Sequence, residues 1–358
     1  MYKYLPKSEL PVLIQTWMAG WAVCAPMGPP DATAFARIDE PSQALLDAIP
    51  NTIYPPKALF LPHSEVLLKA VAGRLEEVED CSPPTLVLGI RSCDVRALSL
   101  LDRVFLGGNH IDPYWKARRE KAALIGLVCS EPCQSCFCTA VGSSPFDERG
   151  ADALLTDQGQ AYIVKVISEK GRGLFEGLDS ASAAQIDEAV QSRKAAEAAM
   201  AEPFSRKIAS LEASSGKTTG TEEDSEESMP WSIRDRLNAI YESDFWSRIQ
   251  QACIGCGVCT FLCPTCHCFD IVDEFQRGER VRNWDSCMFR IYSQEASGHN
   301  PRPTNLKRVR NRIMHKYAYF QDRYRALGCT GCGRCVRHCP VNIDIREIIQ
   351  YALEFKAS

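Results

Sequence analysis

Two stretches of this 358-residue chain repeat one pattern, Cys253-x2-Cys256-x2-Cys259-x3-Cys263-Pro264 and Cys329-x2-Cys332-x2-Cys335-x3-Cys339-Pro340. Four thiols in a short run closed by proline suit a cuboidal [4Fe–4S] cluster, whose iron corners need thiolates arriving from several directions. Gly255, Gly257, Gly331 and Gly333 lie between the cysteines, where glycine permits close backbone approach and unusual dihedrals. Zinc, the alternative, favours two separated ligand pairs around one tetrahedral ion. In two-cluster ferredoxins the fourth cysteine of each run ligates the other cluster. The spacing therefore assigns Cys253, Cys256, Cys259 and Cys339 to one cluster, and Cys329, Cys332, Cys335 and Cys263 to the second.

Another thiol group lies in CSEPCQSCFC, which supplies Cys129, Cys133, Cys136 and Cys138, with Cys93 further upstream. Each region follows an apolar strand candidate, and parallel strands would open both onto one sheet edge, where ligands commonly bind. The expectation is a third cluster on Cys93, Cys129, Cys133 and Cys138, with Cys136 as an alternative ligand. A redox-active thiol set and buried cysteines filling the core are the rival readings. Cys266, Cys268 and Cys287 are expected to pack near the cubes, and Cys24 and Cys81 to be ordinary core or surface thiols.

The elements that must position these groups are readable. TLVLGI (85–90) and ALIGLVC (123–129) are short apolar runs that read as buried strands, with helical spacing in RSCDVRALSLLDRVF (91–105) between them. ALLTD (153–157) and AYIVKVIS (161–168) suggest a hairpin. No G-x-G-x-x-G follows the first strand, so no dinucleotide site is inferred. Residues 176–211 read as helix, and SSGKTTGTEEDSEESMP (214–230) as a solvated acidic linker. Helical periodicity returns at 231–250, in the basic stretch 306–327 and at 343–357, and the spacer from Cys263 to Cys329 reads as mostly helical. Arg302, Arg308, Arg310 and Arg312 offset cluster charge, form a solvated face or dock an acidic partner.

The expected organisation is a mixed α/β (or α+β) domain over 1–175, a helical segment and linker over 176–230, and an α-helical two-cluster ferredoxin-like domain over 231–358. Eighteen cysteines without a secretion signal at the N-terminus point to metal rather than to disulfides, and to the cytoplasm. A net charge of −4 gives no bulk attraction for nucleic acid. No apolar run reaches the roughly 20 residues of a membrane span.

Over roughly residues 55–350 the chain resembles the β subunit of cytosolic sulfhydrogenase-type [NiFe] hydrogenases and the related electron-transfer subunit of anaerobic sulfite reductases. The matching stretches include IRSCDVRALSLLDRVF (90–105), CSEPCQSCFCTAVG (129–142), CGVCTFLCPTCHCFDIVDE (256–274), WDSCMF (284–289), SGHNPRPT (297–304) and GCGRCVRHCPVNIDIRE (331–347). The resemblance implies an electron-relay subunit of a hetero-oligomeric complex. Its partners would be a flavin subunit handling NAD(P)H and a catalytic subunit with a nickel–iron or sirohaem centre. Such a chain is not catalytic by itself. Two rivals remain: a catalytic subunit reducing sulfur or disulfide species at the N-terminal cysteines, and a structural zinc protein.

Overall fold

A computed structural model describes residues 1–46, 51–131, 133–200 and 231–355. The linker at 214–230 lies outside the described residues. Eleven strands are described: β1 (Tyr2–Pro6), β2 (Ala22–Met27), β3 (Ala34–Arg37), β4 (Ser64–Val71), β5 (Arg74–Glu77), β6 (Thr85–Arg91), β7 (Ala122–Leu127), β8 (Ala153–Asp157), β9 (Ala161–Val166), β10 (Phe269–Glu274) and β11 (Glu279–Trp284). The chain forms two compact units, one from residues 1–61, 79–139 and 143–201, the other from 62–78, 140–142 and 202–358.

The first unit is built on a seven-stranded sheet in the order β1-β9-β8-β7-β6-β2-β3. Its central strands β2, β6, β7 and β8 are parallel, and antiparallel pairs flank them. The continuous apolar character of TLVLGI and AALIGL follows from burial on both faces. The helices here are α1 (Leu10–Met18), α2 (Ser92–Phe105), α3 (Pro113–Glu120), α4 (Glu169–Leu174) and α5 (Ala183–Ala199). Helix α5 starts at a Ser182–Gln185 capping box. It is tied to the sheet by Arg193 Nε donating to Thr156 Oγ1 at 2.9 Å. Trp115 is fully buried in α3, stacked on Phe105, with its indole N–H donating to Asp102 at 2.8 Å.

The second unit holds α6 (Trp231–Ala239), α7 (Phe245–Ala252), α8 (Asn305–Met314) and α9 (Ile345–Glu354), packed through Leu237, Trp246, Ile313, Tyr317 and Ile349. It also contains a four-stranded antiparallel sheet in the order β10-β11-β4-β5. The helical reading of the Cys263–Cys329 spacer therefore holds only for its later part. FDIVDE and ERVRNW pair as a hairpin, in register from Phe269–Trp284 to Glu274–Glu279. Their β-branched residues and the tight FQRG turn favour strand over helix. The partner of β11 is β4, from a stretch whose chain position suggested the N-terminal domain.

Strand β6 carries an irregularity between Leu88 and Ile90, with Gly89 at φ +77°. A β-carbon there would lie 2.4 Å from Leu46 Cδ2. Gly89→Ala is expected to lower stability by about 1–3 kcal/mol, from left-handed strain plus overpacking. Urea unfolding followed by circular dichroism measures it, and an unchanged midpoint would contradict the argument.

Candidate iron–sulfur centre

The two cysteine runs adopt the same backbone. Gly255 and Gly257 have φ of +69° and +79°, and Gly331 and Gly333 have +65° and +73°. In each run the second glycine starts a four-residue helical turn, Val258–Phe261 or Arg334–Arg337, that carries the third cysteine. Amides near the cysteines donate to sulfur: Gly255 N to Cys253 Sγ at 3.4 Å and Ile343 N to Cys339 Sγ at 3.2 Å.

The structure brings Cys253, Cys256, Cys259 and Cys339 together around one cavity of about 60 Å³, closed by Met288, Val309 and Ile348, among other apolar side chains. Cys335 lines the same cavity. Burial pushes the Cys335 thiol up to about 12, and its thiol neighbours are Cys329, Cys263 and Cys332. Cys335 thus lies on the cavity wall and within electrostatic range of the other three thiols of the second predicted set. Cys256 is exposed, whereas Cys263 and Cys332 are buried.

Positive charge is built into this interior. Arg312 is 7% exposed, and its Nη2 donates to Cys259 O at 3.0 Å. Burial works against its charge, but Cys259, Cys335, Cys266 and Cys263 hold it above its ordinary value. Lys316, one turn on, reaches Cys263 Sγ at 3.2 Å. Cys263 is held well below the usual thiol range, first by a hydrogen bond with the Cys266 thiol and then, against its burial, by Lys316. Among the described residues, Arg312 Nε and Thr330 Oγ1 are buried without a hydrogen-bond partner, and Tyr317 Oη, with no oxygen or nitrogen to bond, lies near the Cys329 thiol. Thiols, sulfur-facing amides, orphaned donors and buried cations together fit an anionic iron–sulfur cluster.

Lys316, Tyr317 and Thr265 were not singled out by sequence reasoning. The only trace in the sequence is the four-residue spacing of Arg312 and Lys316 within the basic stretch. The other arginines differ in role: Arg310 lies over the Tyr241 ring at 3.8 Å, and Arg308 Nε donates to Met288 O at 2.9 Å. Cys266 adjoins Cys263, and Cys268 lies beside Cys287 and the Tyr292 hydroxyl, with Cys266 also acting on Cys287. His315 is pushed down to about 3 by burial and by the neighbouring His267 and Lys316.

In the first unit, adjacent parallel strands β6 and β7 end with Arg91 opposite Leu127. Cys93 and Cys129 follow them. Cys133 and Cys136 are joined in a disulfide. Cys138 is buried, its Sγ 3.7 Å from Met200 Sδ, with Cys129 close enough to raise its pKa further. Arg91 Nη1 donates to Val128 O at 3.0 Å and opposes the burial that raises the Cys129 pKa. Cys24 is buried in β2 and Cys81 is exposed. Among the described residues, no three His, Cys, Asp or Glu side chains close around a single-ion site, and no helix is long and apolar enough to cross a membrane.

These features define an iron–sulfur protein, and the profile of the 4Fe-4S dicluster domain matches residues 252–343. The sulfhydrogenase 2 subunit beta of Pyrococcus furiosus is 30% identical over 323 residues, covering 89% of each chain. The chain belongs to the family of sulfhydrogenase β subunits. No solved structure matches it.

Gly257 is the tightest point of the first loop, because a β-carbon would lie 2.9 Å from Phe289 Cε1 and 3.2 Å from Ser286 Oγ. Gly257→Ala is expected to lose about four iron per chain while the circular dichroism of the first unit persists. Full iron retention would show that the loop tolerates the methyl group.

Proposed function

We propose that the chain is an electron-relay subunit carrying two [4Fe–4S] clusters, one on Cys253, Cys256, Cys259 and Cys339 and one on Cys329, Cys332, Cys335 and Cys263. The observation that carries this reading is the cavity lined by the first four thiols with Cys335 of the second set on its wall. Each cluster, when bound, supplies a one-electron couple. The chain's own work is to fix their separation, exclude water and balance their charge. Arg312 lies between the two sets, and Lys316 holds Cys263. Exposed Cys256 makes the first site the natural point of exchange with a partner. The family membership supports a multi-subunit setting in which electrons pass between a flavin subunit handling NAD(P)H and a catalytic subunit of nickel–iron or sirohaem type, in the cytoplasm. No acid, base or nucleophile of this chain is required.

A second reading has one observation behind it, the Cys133–Cys136 disulfide. In its reduced form the pair would give two electrons and two protons to a sulfur or disulfide substrate and re-form the disulfide, and two one-electron transfers from the proposed clusters, with two protons from water, would reset the two thiols. A cluster on Cys93, Cys129, Cys133 and Cys138 competes for the same cysteines.

Anaerobic purification followed by iron, sulfide and zinc assays separates these. About eight iron and eight sulfide per chain supports the two clusters, about twelve adds the third, and zinc without sulfide overturns the relay. Cys256→Ser and Cys332→Ser should each depress a different reduced-state paramagnetic signal. If one variant erased both while the fold persisted, the two ligand sets would be wrong.

A further inference from the structure

Helix α8 runs into a π-helical turn, His315–Tyr319, and such single-turn widenings are frequent at functional sites. Here the Lys316 carbonyl accepts from Gly328 N at 2.8 Å. Gly328 lies directly on the turn, since a β-carbon would stand 3.1 Å from Phe320 Cγ and 3.3 Å from Lys316 Cα. The residue ahead of Cys329 is thus fastened to the backbone of Lys316.

The side chain of Lys316 completes the arrangement. The residue is 2% exposed. Its Nζ donates to Gly328 O at 2.8 Å, Thr265 Oγ1 at 3.0 Å and Cys263 Sγ at 3.2 Å. Three acceptors match the three N–H bonds of an ammonium, one more than a neutral amine supplies. Thr265 in turn donates to Gly328 O at 2.7 Å and lies 3.1 Å from Cys263 Sγ. An ammonium buried without an anion is costly, so this position makes sense only beside persistent negative charge.

The two cysteine sets differ in how they meet solvent. Reduction adds one negative charge to a cluster, and burial resists added charge. Water can relieve this at exposed Cys256, but not at buried Cys263 and Cys332. Arg312 neighbours thiols of both sets, so it acts on both. Lys316 donates to Cys263, and the other thiols that act on it are Cys266 and Cys329, none of them in the first set.

We propose that Lys316 is a potential-setting residue, whose fixed charge on Cys263 makes the more buried cluster of Cys329, Cys332, Cys335 and Cys263 easier to reduce while leaving the cluster of Cys253, Cys256, Cys259 and Cys339 nearly unaffected. This rests on the ligand sets proposed above. Its consequence is a pair of couples kept close enough in potential for electrons to pass both ways, despite unequal burial.

The test is a potentiometric titration of the anaerobically purified full chain, followed by electron paramagnetic resonance, for the wild type and Lys316→Met. Cys332→Ser identifies which signal belongs to the buried cluster. The expected result is a fall of at least tenfold in the reduction equilibrium of that cluster, 59 mV for one electron, with the other signal moving by less than a third as much and iron content unchanged. Lys316→Arg, which keeps the charge, should recover most of the shift. Unmoved potentials, an upward shift, or equal shifts of both signals would overturn the proposal. If Lys316→Met does not retain iron, Lys316→Gln is titrated against the same criteria. A wild type without iron–sulfur signals would instead remove the relay reading itself, whereas two intact clusters with unshifted potentials remove only the role of Lys316.

Discussion

Cysteine side chains from two loops crowd one region of the second unit, most of them buried or half-buried, and cluster ligation of the kind proposed requires them as thiolates. That much negative charge in a poorly solvated space is the constraint that orders everything around it. The molecule answers with buried cations, one between the sets and one on Cys263, and with backbone amides aimed at sulfur. The positive side chains are themselves held by backbone carbonyls, so they keep their positions rather than collapsing onto single thiols. Lone buried charges are strongly disfavoured, and opposed, hydrogen-bonded ones are tolerated.

Most of this centre was legible in the sequence, because ligand spacing is set by cluster geometry and not by tertiary context. The repeat of four cysteines and proline marks the thiols to consider together, and the intervening glycines mark where each loop turns. The basic stretch was harder to read. Arg310 and Arg312 are near neighbours in sequence, yet one lies over Tyr241 and the other reaches the Cys259 carbonyl. Composition cannot separate them, since only the packing of α8 decides which side faces the thiols. Lys316 was less visible still, because lysine is almost never fully buried and a π-helical turn shifts the helical register that places it.

The strands divided along the same line. Buried parallel strands such as TLVLGI announce themselves as apolar runs, and β6, β7, β8 and β9 lie where the pattern put them. The four-stranded sheet of the second unit is more exposed. SEVLLKAV and FDIVDE mix charged and apolar residues without clean alternation, so their strand character rests on pairing partners distant in sequence. The first unit's cysteines show a different limit: sequence reveals that Cys129 to Cys138 are dense in sulfur, but not which thiols pair with one another.

The pairing of β11 with β4 has a consequence for how the protein is made. The β4–β5 hairpin leaves the ribosome roughly 200 residues before β11, about 10–40 s earlier at ordinary synthesis rates. Until then one side of β4 is an unpaired edge, the kind that recruits other chains. The wait is guarded by charge: β5 is fully exposed and reads RLEE, and β4 carries Glu65 and Lys69. When β11 arrives, Arg282 closes on Glu65 as a buried ion pair and Trp284 stacks on His63 at 3.8 Å. The nascent chain therefore holds an early segment whose pairing strand is made only far downstream.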